Sequence, residues 1–177
     1  MALFRNRKIL VFVLALAGFI GFLVAGLQAN QFGPQQQPIV RYFPSIPVTL
    51  LSGEKKEQAT LVMEHDFQLV NVWAPWCGVC KAEHSYLIQL AQQGVPMIGV
   101  NYRDHQSSAN NYLGQYGNPY QHVLLDPQGK LGIELGVIGT PETYLVTQQG
   151  EIVYKHIGML SPRVWQKHFA HYFQPST

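Results

Sequence analysis

Apolar and polar positions divide the chain into three stretches. Ile9 to Leu27 reads ILVFVLALAGFIGFLVAGL, nineteen residues with no charge. As a helix it spans ~28 Å, close to the ~30 Å hydrocarbon core of a bilayer. Gln28 to Pro47 has little periodicity and is rich in Gln and Pro, the pattern of an extended tether. From residue 48 onwards short apolar runs alternate with turn residues. A weak strand is expected at 59–63. Phe67 to Trp73 reads as a central strand, mostly apolar because both faces are covered. Ala74 to Gly78 turns, and Val79 to Gln92 carries helical spacing, with Ala82, Tyr86, Leu87 and Leu90 on one side. A second buried strand is expected from about Pro96 to Tyr102. Ser107 or Ser108 can cap a helix that runs to about Tyr116. A short strand at 122–125, a turn at 126–129, a brief helix at 130–135 and a loop at 136–142 follow. Residues 143–147 and 151–156 read as a hairpin. Ser161 caps a last helix with Pro162 in its first turn, running to about Tyr172. This order predicts an α/β sheet with helices on both faces.

Charge sharpens the reading of the first stretch. Arg5, Arg7 and Lys8 lie just before the apolar run, so the positive-inside rule predicts residues 1–8 as a cytoplasmic stub and 9–27 as a single transmembrane anchor. The tether at 28–47 and one domain at 48–177 would then face the periplasm from the inner membrane. A cleaved signal peptide is the rival reading. Its apolar core is usually shorter, and Leu27-Gln28-Ala29 matches a small-x-small cleavage site poorly. The chain has 177 residues, 47% apolar and only 12% charged, with a net charge of +2. That is enough for one domain with a real core, and no concentrated basic face points to nucleic acid.

The two cysteines, Cys77 and Cys80, are the candidate chemistry. Cysteines this close cannot staple distant elements. They follow a predicted strand and open a predicted helix, where free N–H groups and the helix dipole favour a thiolate. Cys77 would therefore be the nucleophile, and Cys80, one turn on, could resolve a mixed disulfide. Half a zinc site has the same spacing, but a closed zinc site needs four ligands and no second cysteine pair exists. No metal or other cofactor is expected beyond the redox-active Cys77–Cys80 disulfide.

The segment Val70-Asn71-Val72-Trp73-Ala74-Pro75-Trp76-Cys77-Gly78-Val79-Cys80 resembles the active-site segment of the thioredoxin superfamily. Together with VNYRD, GNPY and the following LLD, LGVIGTPETYLV and SPRVWQKH, the chain is similar to the cytochrome c maturation thioredoxins, the CcmG/DsbE family. The resemblance implies a thioredoxin-like fold with a central mixed sheet and a strand–helix insert between Cys80 and Pro141. It makes Cys77 the attacking thiol, Cys80 the resolving thiol and Pro141 the family's cis-proline. Read by itself, Pro141 would be an ordinary trans turn residue. Glu83 and Glu142 match acidic residues that the family places near its disulfide, for proton handling and selection of substrate charge. By spacing alone Glu83 is equally a solvated helix carboxylate. Trp76, Thr140 and Glu142 would line the substrate site.

The resemblance also has departures. Ordinary thioredoxins carry a buried Asp six residues before the first cysteine. Asn71 stands there and cannot act as a base, which leaves Glu83 as the substitute. The dipeptide Gly78-Val79, which tunes the reduction potential, stays unread.

The function implied is a membrane-anchored dithiol reductant. Its substrate would be the haem-binding C-x-x-C-H segment of apocytochrome c, or the carrier of that protein, and a membrane electron donor of the DsbD/CcdA type would recharge it. A general periplasmic oxidase or isomerase is the nearest alternative, and a Cu(I) metallochaperone using both thiolates and His84 is a non-enzyme one. A thiol peroxidase fits poorly, because Val70 and Ala74 stand where that chemistry wants Pro and Thr.

Overall fold

The computed structural model describes residues 2–29, 42–57 and 64–173. The chain divides into two compact units, Met1–Pro38 and Ile39–Thr177. In the first, α1 (Ala2–Ala29) contains the whole apolar run. The expected transmembrane anchor is corrected here, because among the described residues no helix is long and apolar enough to cross a membrane. The inner-membrane location and the membrane as a partner rested on that span and fall with it. So does the orientation read from Arg5, Arg7 and Lys8. Most of the tether, and the weak strand expected at 59–63, lie outside the described residues.

The second unit is built on one seven-stranded sheet. Its strands are β1 (Pro47–Leu50), β2 (Lys55–Glu57), β3 (Phe67–Trp73), β4 (Met97–Tyr102), β5 (His122–Asp126), β6 (Glu142–Thr147) and β7 (Ile152–Ile157). Their order across the sheet is β2-β1-β5-β4-β3-β6-β7. β3, β4 and β5 are parallel, and β6, β7, β1 and β2 add antiparallel edges. The helices are α2 (Gly78–Gln92), α3 (Gln106–Tyr116), α4 (Lys130–Glu134) and α5 (Pro162–His168), the last followed by a 3₁₀ turn at Ala170–Tyr172. Two strand–helix pairs, β4–α3 and β5–α4, fill the stretch between α2 and Pro141.

The alternation of β3 explains why it is central. Leu69 and Trp73 point to one face with Met97, Val123 and Leu145, where Leu87 and Leu90 of α2, Tyr112 and Leu113 of α3 and Trp165 of α5 pack. Val70 and Val72 point to the other face with Ile98, Val100 and Leu124, under Leu131 of α4 and Phe43. A strand covered on both faces has no solvated side, so its sequence is nearly continuously apolar. Two polar residues interrupt it, Gln68 and Asn71, both buried, and Asn71 lies on the α2 face. It takes a polar network to keep it there.

Several local expectations shift by a few residues. α3 starts at Gln106 after His105, two residues before the capping serines, and no side chain caps it. The Gln106 amide instead donates to the Leu51 carbonyl at 2.7 Å, so a tertiary contact sets the helix start. α5 ends at His168 because Phe169 leaves helical geometry to pack, fully buried, against Tyr154 and Trp165. β1 and β2 were not anticipated at all. They are short, and β1 is held by antiparallel pairing with both β2 and β5 and by burial of Val48 and Leu50. Residues before β1 also pack on the domain: Phe43 is buried, and its N–H donates to the Gly150 carbonyl at 2.7 Å.

Gly99 is one position where only glycine fits. It lies opposite Asn71 in the β3–β4 register. A Cβ there would stand 2.7 Å from Tyr120 Cδ2 and 2.8 Å from Trp73 Nε1. The missing side chain is what lets Tyr120 cross β4 and reach Asn71. Gly99→Ala is expected to cost about 1–3 kcal/mol, as overpacking does, and to push Tyr120 off Asn71. A lowered urea midpoint, with loss of tyrosine burial seen by near-ultraviolet circular dichroism, checks this.

Candidate functional site

The site grows out of the β3–α2 junction. β3 ends at Trp73, Ala74-Pro75-Trp76 turns, and Cys77 caps α2 from an extended conformation. Cys77 and Cys80 are joined as a disulfide. The Cys80 N–H donates to Cys77 Sγ at 3.0 Å. The sulfur therefore sits where the free N–H groups and dipole of a helix start favour negative charge once the bond is reduced. Trp76 is 58% exposed beside it. Its indole N–H donates to the Arg103 carbonyl at 3.3 Å, and Arg103 holds positive φ at 47° to present that oxygen.

Across from Cys77 lies the loop before β6. The Thr140–Pro141 peptide is cis, as the resemblance implied for Pro141. The Thr140 carbonyl oxygen is 3.6 Å from Cys77 Sγ. An extended polypeptide laid along Thr140 would pass the sulfur, the placement that disulfide exchange needs.

Beneath Cys80 the structure brings together groups far apart in sequence. Glu83, one turn beyond Cys80 on α2, is almost fully buried rather than solvated. Its Oε1 accepts from Asn71 Nδ2 at 3.1 Å and its Oε2 from the Leu160 N–H at 2.7 Å. Asn71 Nδ2 also donates to Thr143 Oγ1 at 3.1 Å, and the Tyr120 hydroxyl donates to Asn71 Oδ1 at 2.8 Å. Burial holds the Tyr120 phenol well above its ordinary range, with the Glu83 charge adding to it. The hydroxyl thus stays a donor and fixes which way the Asn71 amide points. Burial also pushes the Glu83 carboxyl from 4.5 up to about 7, against the two hydrogen bonds, which lower it. Asn71 is no base, but it orients one.

Glu142 is fully buried and lies within the cis-proline loop's own bonding. Oε1 accepts from the N–H groups of Ile138 and Gly139 at 2.9 and 3.3 Å. Oε2 is 2.7 Å from the Tyr144 hydroxyl and 3.1 Å from Lys155 Nζ. His84 points elsewhere: its Nε2 is 3.0 Å from the Gly117 carbonyl, its ring meets Tyr112 edge-on, and burial lowers its pKa. Among the described residues no three His, Cys, Asp or Glu side chains gather into a metal-binding group.

Sequence reasoning named Cys77, Cys80, Glu83, Trp76, Thr140, Pro141 and Glu142. It missed Tyr120, Thr143, Lys155 and the Leu160 N–H. The signal for the network was Asn71, a polar residue in a mostly apolar strand, which has to find partners.

Fold and site together define a thioredoxin-superfamily protein with the active-site disulfide of a thiol:disulfide oxidoreductase. Residues 41–168 match the redoxin family. The thiol:disulfide interchange protein DsbE of Escherichia coli (strain K12) is 47% identical over 110 residues, 62% of this chain and 60% of that protein. The "Probable thiol:disulfide interchange protein DsbE-2" of Pasteurella multocida (strain Pm70) is 38% identical over 169 residues, 93% of this chain and 87% of that one. The chain belongs to the redoxin family and is closely related to the DsbE/CcmG-like thiol:disulfide interchange proteins. The match to the E. coli relative spans about 60% of that protein's length. Among solved structures, a thio-disulfide isomerase from Thermus thermophilus superposes with a TM-score of 0.61 at 24% identity, covering 76% of this chain and 96% of that one. A secreted Mycobacterium tuberculosis disulfide oxidoreductase gives 0.60 at 22%, covering 72% and 96%. At such identities these two speak for the fold alone.

Proposed function

We propose that this chain is a dithiol reductant that opens a disulfide in an extended cysteine-containing segment of another protein. The observation that carries this is the pairing of an exposed approach to Cys77, along Trp76 and Thr140, with a buried carboxyl of pKa about 7 one turn beyond Cys80. In the reduced protein the Cys77 thiolate attacks one sulfur of the substrate disulfide. The substrate S–S bond breaks, a Cys77–substrate bond forms, and the leaving sulfur takes a proton. Glu83 accepts the proton of the Cys80 thiol. The Cys80 thiolate then attacks Cys77 Sγ, closing Cys77–Cys80 and releasing the second substrate thiol. Two electrons have moved to the substrate, and a dithiol donor must return them. The haem-binding C-x-x-C-H segment of an apocytochrome c is a substrate of the required kind, and it is the one the sequence resemblance implies.

The test is a trap. Reduced Cys80→Ala protein, mixed with an oxidised C-x-x-C-H peptide, is expected to form a stable Cys77–peptide disulfide that dithiothreitol releases. The Cys77–Cys80 potential, measured against glutathione, is expected nearer the ~−270 mV of thioredoxin than the ~−120 mV of a strong oxidant. Failure to trap the peptide would remove the substrate assignment, and a potential at the oxidant end would remove the reductant reading.

A further inference from the structure

We propose that Lys155 is a positioning residue for this site, acting with Glu142 as a buried ion pair that holds the 136–140 loop at the angle a peptide substrate needs. The inference rests on the disulfide-exchange reading above and adds what shapes the substrate side of it.

The pair sits where charge is expensive. The Glu142 side chain is fully buried, and that of Lys155 is only 11% exposed. Taking two charges out of water is repaid only when the remaining donors and acceptors are satisfied, and nearly all of those partners are loop backbone. The carboxylate accepts from the N–H groups of Ile138 and Gly139, beside the Tyr144 hydroxyl and Lys155 Nζ. Lys155 Nζ donates in addition to the Gly136 carbonyl at 2.7 Å and lies 5.3 Å over the Tyr144 ring. The far end of the loop is tied by the Gly158 N–H, which donates to the Pro141 carbonyl at 2.9 Å. The Val137 N–H donates to the Gly132 carbonyl at 2.8 Å, so the chain is pinned at 136 to 139 and at 141. The residue left between the pins is Thr140, whose carbonyl lies 3.6 Å from Cys77 Sγ. Ile138 stands out from the same loop, 61% exposed.

This arrangement assigns Glu142 a task that contacts no substrate. Its oxygens are occupied by the loop, so its influence on the reaction passes through Thr140 and Ile138. Lys155 is one of β7's six residues, and its partner in the β6–β7 register is Tyr144. A lysine here reaches the loop only because β7 runs antiparallel beside β6. Removing the ammonium would leave the carboxylate buried without its cation, and Gly136 without its donor. The loop would relax, and the peptide approach past Cys77 would lose its alignment. A small disulfide, which needs only the sulfur, would not feel this.

The experiment uses the full chain as wild type, Lys155→Met and Lys155→Arg. Each is assayed with an oxidised C-x-x-C-H peptide and with hydroxyethyl disulfide. Lys155→Met is expected to raise KM for the peptide by about tenfold, the scale of a modest misplacement, with kcat and the hydroxyethyl disulfide rate changed far less. Lys155→Arg is expected to restore most of the peptide KM. Amide hydrogen exchange at Ile138 and Gly139 should speed up in the Met variant and not in the Arg variant. Should Lys155→Met fail to fold, Lys155→Gln carries the same comparison, since its amide can still donate to Gly136 but supplies no charge. An unchanged peptide KM in a folded variant overturns the proposal. So does an equal loss on both substrates, which marks a purely structural residue. Inactivity of the wild type on both disulfides would instead remove the exchange reading itself.

Discussion

Cys77→Ser is expected to abolish disulfide exchange, with a fall on the order of 10³-fold or more, as losing a nucleophile gives elsewhere. A serine hydroxyl at the start of α2 meets the same N–H groups but is not a thiolate at neutral pH. The fold should survive, because Cys77 and Cys80 are three positions apart and their bond closes too short a loop to hold distant elements. Cys80→Ala should behave differently. It keeps the first half of the reaction and loses the second, so thiol consumption stops after one equivalent. Following peptide reduction and mixed-disulfide accumulation in the two variants checks both statements. Equal behaviour of the two would mean that the cysteines do not divide the attacking and resolving roles.

Glu83→Gln should produce the second large effect, and it is read through pH. The Glu83 carboxyl has a pKa of about 7 in the folded protein against an ordinary 4.5, because burial disfavours its charge. The folded state therefore binds a proton more tightly than the unfolded chain. That stabilisation is fully present below about pH 4.5 and is lost as the pH rises through 7. The loss amounts to roughly 3 kcal/mol. Glutamine has no charge to disfavour, but it keeps only one accepting oxygen where Glu83 presents one to Asn71 and one to Leu160. That should cost about 1 kcal/mol at every pH. The stability curves of the two proteins should then cross at roughly pH 5–6, with the variant the more stable one above it. Urea unfolding from pH 4 to pH 9 measures this, and parallel curves would show that Glu83 does not titrate near neutrality. In exchange, the variant lacks the group proposed to take the Cys80 proton. Its resolving step should slow on the order of 10²-fold, and the rise in rate near pH 7 should disappear.

What could be read from the sequence is what depends on neighbours along the chain. The Cys77–Cys80 spacing, the strand before it and the helix after it are local, and they were enough to name the chemistry. The same holds for the Ser161-Pro162 helix start, where Ser161 Oγ accepts from the Val164 N–H, and for the hairpin turn at 148–150. Pro141 was legible only as part of a motif; by itself, proline before a strand says nothing of cis or trans.

The features left unread arise from pairings across the sheet. Asn71 meets Thr143, 72 residues away, because β6 lies antiparallel to β3. It meets Tyr120, 49 residues away, because Gly99 leaves space over β4. Glu83 meets the Leu160 N–H at a separation of 77. Helical spacing left its environment at even odds, and only the buried neighbours place it in the core with a pKa near 7. Lys155 reaches Glu142 at 3.1 Å because the β6–β7 register sets it opposite Tyr144, two residues along β6. β1 forms by pairing with β2 and with β5, the latter far away along the chain. The apolar run at 9–27 taught the opposite lesson: hydropathy along the chain predicted a membrane span that the described helix does not support. Sequence by itself determined that two cysteines exchange electrons at the mouth of a helix. The tertiary structure decided which carboxyl burial lifts to a pKa of about 7 behind them and which one is bonded into the loop. It could do so because burial and cross-strand contact, not residue type, set the cost of each charge.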